Sequence, residues 1–228
     1  MPNLTRAATI ILGKELRTEF RTRELLSTTI VFVLMVVVLF SFTFDPSAAE
    51  SRRFGPGLLW IAFLFAGSLM LHPSFMREQA NDTLAGLRLA PIEPFAILTG
   101  KVLANFLFLL LAELLLLPVF TVLYDVQLTP VQGRLLPVML VLILGTLGLT
   151  TVGTVFSAIA SQARMRELLL PLLLLPVLTP VLIASAEATS GLLADPPELP
   201  RTWLAFLVAF DVVFLTATWL FGEYLLEE

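Results

Sequence analysis

The chain has 228 residues, of which 57% are hydrophobic and only 14% are charged, and its formal net charge at pH 7 is −4. Soluble domains carry about 25% charged residues, so this composition argues against a water-soluble fold. The acidic balance argues against a nucleic-acid partner, which needs a basic surface, and the absence of cysteine excludes disulfides, thiolate metal sites and thiol catalysis.

The first predicted element is an amphipathic helix over residues 5–25. Its apolar residues recur at every fourth position and its basic residues fall on the opposite face: Ala8, Leu12, Leu16 and Phe20 against Lys14, Arg17 and Arg21. Such a helix lies in the membrane interface with its basic face towards the lipid headgroups. Two interpretations stay open, an ordinary topogenic anchor and an elbow helix that seats a transporter subunit beside a cytoplasmic partner.

Six apolar runs follow this helix. A helix crosses the hydrocarbon core with roughly 17–25 residues, and five of the runs reach this length alone, whereas the second reaches it with its flanking residues. The alternation of apolar and polar residues that is typical of a membrane barrel is missing. The sequence therefore predicts one all-α transmembrane domain over residues 1–228, with spans at about 26–44, 54–72, 97–123, 135–160, 168–186 and 203–221.

The distribution of lysine and arginine predicts the orientation of the spans. Of the 14 basic residues, four fall on the side opposite the termini: Arg52, Arg53, Arg134 and Arg201. The other ten lie on the side of the termini. Because basic loops stay in the cytoplasm, both termini are expected there, and the chain is expected in a bacterial inner membrane.

The segment 73–101 is a long connection of mixed charge on the predicted cytoplasmic side, and two prolines interrupt it before the third span. On a chain without a soluble domain, such a segment is most simply a docking surface, and a solvated linker is the alternative. The candidate docking residues are Arg77, Glu78, Asp82, Leu84, Leu87 and Pro91.

Two acidic residues fall inside predicted spans, Glu113 in the third and Asp211 in the sixth. An ionised carboxylate at the bilayer centre costs on the order of 3 kcal/mol, so each is expected to face protein or water. Three explanations stay open: protonation, contact with another subunit, or hydrogen bonds to hydroxyls such as Thr146, Thr150 or Thr216. Structural hydrogen bonding is favoured over a polar path or gate.

Small residues recur at every fourth position of the fourth span, at Gly153, Ser157 and Ser161. This spacing is typical of closely packed membrane helices. It predicts a packing face, either within the bundle or between two copies of the chain.

The sequence contains no phosphate-binding loop for ATP. Its two Gly-Lys pairs are followed by Glu15 and Val102, where the motif requires Ser or Thr. With His72 as its only histidine, the chain shows no convergent set of catalytic groups or metal ligands. It is therefore predicted not to be an enzyme, and no metal is assigned to it.

Two parts of the sequence contain distinctive short motifs. Pro56–Trp60 opens the second span, and the segment 73–101 contains Arg77-Glu78, Asn81-Asp82-Thr83-Leu84, Gly86-Leu87, Leu89-Ala90-Pro91 and Gly100-Lys101. These motifs resemble the CcmB family. Members of that family usually have an acidic residue, a glycine and a glutamate where this chain has Asn81, Asp82 and Ala85.

The resemblance implies an ABC-2-like permease that serves an ABC-type complex of bacterial cytochrome c maturation. A separate ATPase would drive haem export or release of the haem-loaded chaperone. The implied partners are this ATPase, other cytochrome c maturation membrane proteins, the chaperone and a second copy of the chain. No cofactor is assigned to this chain, and if haem binds the complex, a partner subunit is the better candidate for its ligands. His72 is interpreted as an interfacial residue rather than a haem ligand. The alternatives are an exporter of another cargo and a non-transporting scaffold.

Overall fold

The computed structural model describes residues 4–43, 48–71, 74–75, 93–124, 135–161, 166–194, 196–198 and 200–222. Over these residues the chain forms long helices, of which all but the first are long and apolar enough to cross a membrane. The predicted all-α fold with six spans is confirmed, and the chain is a multi-pass membrane protein. The helices are α1 (Leu4–Thr22), α2 (Glu24–Thr43), α3 (Ala48–Leu71), α4 (Pro94–Leu123), α5 (Leu135–Ser161), α6 (Arg166–Leu193) and α7 (Arg201–Phe221).

Two helices form the centre of the bundle. α5 packs against α3, α4, α6 and α7, and α3 packs against α2, α4, α5 and α6. Both contribute large side chains that are wholly buried, among them Trp60, Phe63 and Leu149. α2 and α7 lie at the periphery and expose many apolar side chains, such as Met35 and Val213, as expected of surfaces that face lipid.

Small residues let α3 and α5 approach closely. A Cβ atom added at Gly145 would overlap the ring of Trp60, and one at Gly153 would overlap the side chain of Leu71. Ser157 donates a hydrogen bond to the carbonyl of Leu71 at 2.7 Å. The small side chains of α5 therefore leave the volume that the large side chains of α3 fill.

Helix α6 continues past residue 186, where the apolar run ends, to Leu193. Its buried residues keep the helical period beyond that point, at Ala184, Ala188 and Leu192. Thr189 on this extension accepts a hydrogen bond from the indole N–H of Trp60 at 3.0 Å. The extension is thus packed against α3, and Glu187, which suggests a helix end in the sequence, is an exposed residue within the helix.

The amphipathic helix α1 buries a stripe that is shifted by one residue from the predicted one. Phe20, expected on the apolar face, is 59% exposed, and the adjacent Glu19 is 2% exposed. The shift arises because two glutamates on the inner face have polar partners, which apolar periodicity does not reveal. The residues turned inward are Ala7, Ile11, Glu15 and Glu19, with Ala8, Leu12 and Leu16 beside them.

A single residue joins α1 to α2. Arg23 has φ = 55°, a left-handed conformation that costs a residue with a side chain roughly 1–2 kcal/mol. Glu19 Oε1 accepts a hydrogen bond from the backbone N–H of Leu26 at 2.8 Å, which satisfies a donor at the start of α2. Glu19 and Arg23 together fix the turn between the two helices.

Candidate functional site

The residues predicted to dock a partner, Arg77, Glu78, Asp82, Leu84, Leu87 and Pro91, lie outside the described residues, and so does His72. The structure describes both ends of this segment. Ser74 and Phe75 lie at its start, and the first residues of α4, which begins at Pro94, form its end. The geometry around these two ends forms the candidate site.

Helix α1 lies against the first part of α4 and touches it most closely at Gly100. A Cβ atom added to Gly100 would lie 2.8 Å from the Cβ of Ile11 and 2.9 Å from the carbonyl oxygen of Ala8. Any side chain at this position would push the two helices apart. Gly100 therefore permits backbone contact between α1 and α4.

Lys101, the next residue, connects three parts of the chain. Its side chain is wholly buried, and its ammonium lies 3.0 Å from Glu15 Oε1 on α1. The same ammonium donates a hydrogen bond to the carbonyl of Ser74 and lies 4.7 Å from the ring centre of Phe75. Burial of a charge requires such partners. We call the group of Glu15, Ser74, Phe75, Lys101 and Asn105 the Lys101 junction.

Glu15 is an ionised partner in this junction. Burial by itself raises the pKa of the Glu15 carboxyl, but the positive charges of Lys101 and Lys14 and their hydrogen bonds outweigh it and hold the pKa below the ordinary value of 4.5. Lys14 lies 3.3 Å from the same oxygen, and its side chain is 44% exposed. The Glu15 carboxylate thus forms ion pairs with the buried ammonium of Lys101 and with the exposed ammonium of Lys14.

Asn105 extends the junction to α5. Its side-chain amide donates to Ser74 Oγ at 3.3 Å and to Thr154 Oγ1 at 2.9 Å. Because Asn105 lies one helical turn after Lys101, both residues face Ser74 from the same side of α4. Ser74 is therefore held at its carbonyl and at its hydroxyl by two residues of one helix.

Glu113 lies deeper in the bundle and is wholly buried. Its Oε2 accepts a hydrogen bond from the hydroxyl of Thr146 at 2.5 Å, whereas its Oε1 has no hydrogen-bond partner among the described residues. Thr150 and Thr216, the other hydroxyls considered from the sequence, donate to carbonyls of their own helices.

Asp211 lies against α5 at Gly148, where an added Cβ would be 3.0 Å from Asp211 Oδ1. The residue is 5% exposed, and neither carboxyl oxygen has a hydrogen-bond partner in the described part of the chain. Gly148 follows Thr146 by two residues, which is about 200° around the helix and about 3 Å along it. The two acids therefore lie at similar depth on opposite sides of α5.

Among the small residues predicted to form a packing face, Gly153 and Ser157 lie against α3. Ser161 is buried and donates to the carbonyl of Ala158 in its own helix. The structure thus brings Gly153 and Ser157 together with one partner helix, and Glu113 of α4 and Asp211 of α7 pack against other positions of α5.

The sequence does not predict that the residues of the Lys101 junction contact one another. Lys101 entered only as a basic residue of the cytoplasmic side and as part of the Gly100-Lys101 motif. A lysine six residues inside an apolar run that begins at Phe95 is a usable signal, because a charge at that position needs a buried partner. The partner, Glu15, lies 86 residues away along the chain, and periodicity alone does not find it.

Comparison with known families identifies the chain. Residues 6–221 match the family model described as CcmB protein. The chain belongs to the CcmB family. The matched region contains all seven helices except the first two residues of α1, and it includes the Lys101 junction of this CcmB chain together with Glu113 and Asp211.

Relatives of this CcmB chain match it over most of their length. Heme exporter protein B of Pseudomonas aeruginosa is 34% identical over 203 residues, which cover 88% of each chain. Heme exporter protein B of Rhodobacter capsulatus is 32% identical over 203 residues, 89% of this chain and 91% of the relative. The protein of the same name from Paracoccus denitrificans is 31% identical over 206 residues, with 90% and 91% covered.

Proposed function

We propose that the chain is the membrane subunit of an ABC-type complex in cytochrome c biogenesis. A separate ATPase subunit hydrolyses ATP, and the membrane subunit couples this hydrolysis to haem export or to release of a haem-loaded chaperone. The observation that carries the proposal is the match to CcmB over residues 6–221, together with relatives named heme exporter protein B. The chain itself carries no ATP-binding loop motif and leaves hydrolysis to its partner.

The proposed location is the bacterial inner membrane, with both termini in the cytoplasm. In this orientation the segment 73–101, α1 and the Lys101 junction share the cytoplasmic side with the ATPase. The ten basic residues on that side support the orientation.

The direct test is isolation of the native complex. We expect a tag at Glu228 to recover, after gentle solubilisation, an ABC ATPase and other cytochrome c maturation proteins, identified by mass spectrometry. The haem spectrum of the same preparation reports whether haem is present. An ATPase without maturation proteins would indicate another exporter, and recovery of no ATPase would contradict the ABC assignment.

Six residues within the segment 73–101 are proposed as the docking surface for the ATPase: Arg77, Glu78, Asp82, Leu84, Leu87 and Pro91. Replacing Arg77, Glu78 or Leu87 by alanine should reduce the recovered ATPase at least several-fold, because these side chains would lose charged and apolar contacts with it. Insertion into the membrane should be unchanged. Arg201→Ala is the matched control, since Arg201 is an exposed basic residue at the opposite end of the bundle. Normal ATPase recovery with all three variants would refute the docking assignment.

A second copy of the chain is proposed as the other half of the membrane unit, and the exposed apolar faces of α2 and α7 are the surfaces available to it. Native mass spectrometry of the complex counts the copies. Two copies per complex agree with the proposal, whereas one copy beside a different membrane protein would replace the homodimer by a heterodimer.

A non-transporting scaffold is the second candidate function. The observation that favours it is the placement of Glu113 and Asp211 on opposite sides of α5, because acids so placed do not line one common path. ATP-dependent haem movement into liposomes that contain the purified complex would exclude this candidate. Chaperone release without haem movement would support it.

A further inference from the structure

We propose that Lys101 is a positioning residue through which α1 and the start of the docking segment act as one unit. This inference rests on the proposed ATPase partner. Lys101 holds α1 through Glu15 and holds the start of the segment through Ser74 and Phe75. Displacement of the docking segment by the ATPase is therefore transmitted to α1 and α4 together.

The first argument is the cost of the arrangement. Burying an ammonium carries a desolvation penalty, and a protein with an apolar residue of similar volume at such a site is often as stable as, or more stable than, one with a buried ion pair. Stability alone therefore does not account for a lysine here. What an apolar side chain lacks is the directed contact with two separate parts of the chain, Glu15 on α1 and Ser74 at the start of the segment.

The second argument is the way the three elements are held. Gly100 lets the backbones of α1 and α4 come into close contact, because a Cβ atom at this position would overlap Ile11 and the carbonyl oxygen of Ala8. Asn105 binds the hydroxyl of Ser74 while Lys101 binds its carbonyl. Two hydrogen bonds to one residue fix both its position and its orientation relative to α4.

The third argument is the sharing of Glu15. Lys14 and Lys101 both approach its Oε1, at 3.3 Å and 3.0 Å. Of these two contacts, only the one made by Lys101 joins two different helices, because Lys14 and Glu15 both belong to α1. Replacing Lys14 removes a positive charge beside Glu15 without removing the ion pair between α1 and α4, whereas replacing Lys101 removes both. Lys14 therefore provides a matched control.

The test uses the complete complex in lipid nanodiscs, with the variants Lys101→Met, Glu15→Gln and Lys14→Met. The amount of bound ATPase, the kcat and KM for ATP, and chaperone release are measured for each. For Lys101→Met we expect unchanged ATPase recovery and KM, with chaperone release per ATP reduced about tenfold, within the usual range of coupling between sites. Glu15→Gln should lower release in the same direction, and Lys14→Met should match the unaltered complex.

The outcomes separate this inference from the proposed function. An unaltered chain that recruits no ATPase refutes the proposed function. An unaltered complex that works, with a Lys101→Met complex equal to it, refutes the inference and leaves the proposed function intact. If the Lys101→Met variant does not accumulate in the membrane, the test is the comparison of chaperone release per ATP between Glu15→Gln and Lys14→Met. Equal release in those two variants also refutes the inference.

Discussion

The Glu15 carboxylate lies between a buried and an exposed lysine, and this arrangement predicts a pH dependence. Because its pKa in the folded chain is held below 4.5 by Lys101 and Lys14 against the opposing effect of burial, the ion pair stabilises the contact of α1 with α4 above that pH. The contribution is lost as the pH falls from 4.5 through the lowered value of the folded chain.

This dependence is measurable with spin labels on cysteines introduced at Thr9 and Leu103, which are exposed positions on α1 and α4. The chain has no cysteine of its own, so the labels are unique. We expect the distribution of distances between the two labels to broaden below about pH 4.5, the ordinary carboxyl pKa. The Glu15→Gln variant should not show this transition. A transition that persists in this variant would assign it to another group.

The burial of individual charged side chains was the part of the structure that the sequence predicted least well. Apolar periodicity does not indicate that Glu19 is buried and Glu15 partly buried, and Lys101 was predicted only as a basic residue of the cytoplasmic side. The polar partners of these residues come from a distant part of the chain or from the next helix. Glu113 was identified as needing a partner, and Thr146 was among the hydroxyls considered, because depth in an apolar run is visible in the sequence.

At the scale of helices, the contact of α3 with α5 depends on Gly145. Gly145→Ala places a methyl group against the ring of Trp60 and near Ser185 Oγ, and overpacking of this kind typically costs about 1–3 kcal/mol. We expect a lower midpoint of unfolding in detergent. Gly57→Ala on α3 is the control, since an added Cβ there meets no atom within 4 Å, and its midpoint should be unchanged or higher. Equal midpoints of unfolding for the two variants would contradict the close packing of Gly145 against Trp60.

The contact of α1 with α4 is open to a covalent test. Ile11→Cys with Gly100→Cys places two Cβ atoms 2.8 Å apart, so a shift of about 1 Å gives the usual disulfide separation. We expect oxidation to consume both thiols within one chain. The pair Gly13→Cys with Gly100→Cys is the control, because a Cβ at Gly13 meets no atom within 4 Å, and it should stay reduced.

The helices themselves were predictable because membrane spans are long, continuous apolar runs. Their ends were less so. Residue 186 marks the end of an apolar run but not of α6, whose later residues Ala188 and Leu192 are buried against other helices. The stripe of α1 was predicted one residue out of place, because the period of four is present in both stripes and only tertiary contacts select between them.

For the whole molecule, the orientation is the prediction that follows from charge. A cysteine introduced at Ala194, after the end of α6, should react with a membrane-impermeant maleimide added outside intact spheroplasts. A cysteine at Glu228 should react only after the membrane is opened, because basic loops keep the termini inside. Reaction of Glu228→Cys in intact spheroplasts would reverse the proposed topology.

The positions of Glu113 and Asp211 around α5 have a consequence for biosynthesis. Glu113 precedes Thr146 by 33 residues, so at about 5–20 residues per second the ribosome delivers its partner about 2–7 s after Glu113 itself. During that interval the Glu113 carboxyl lacks this hydrogen bond. Asp211 is synthesised after α5, and its carboxyl oxygens have no hydrogen-bond partner among the described residues. We therefore expect assembly of the bundle to respond to translation speed between α4 and α5 and not after α6.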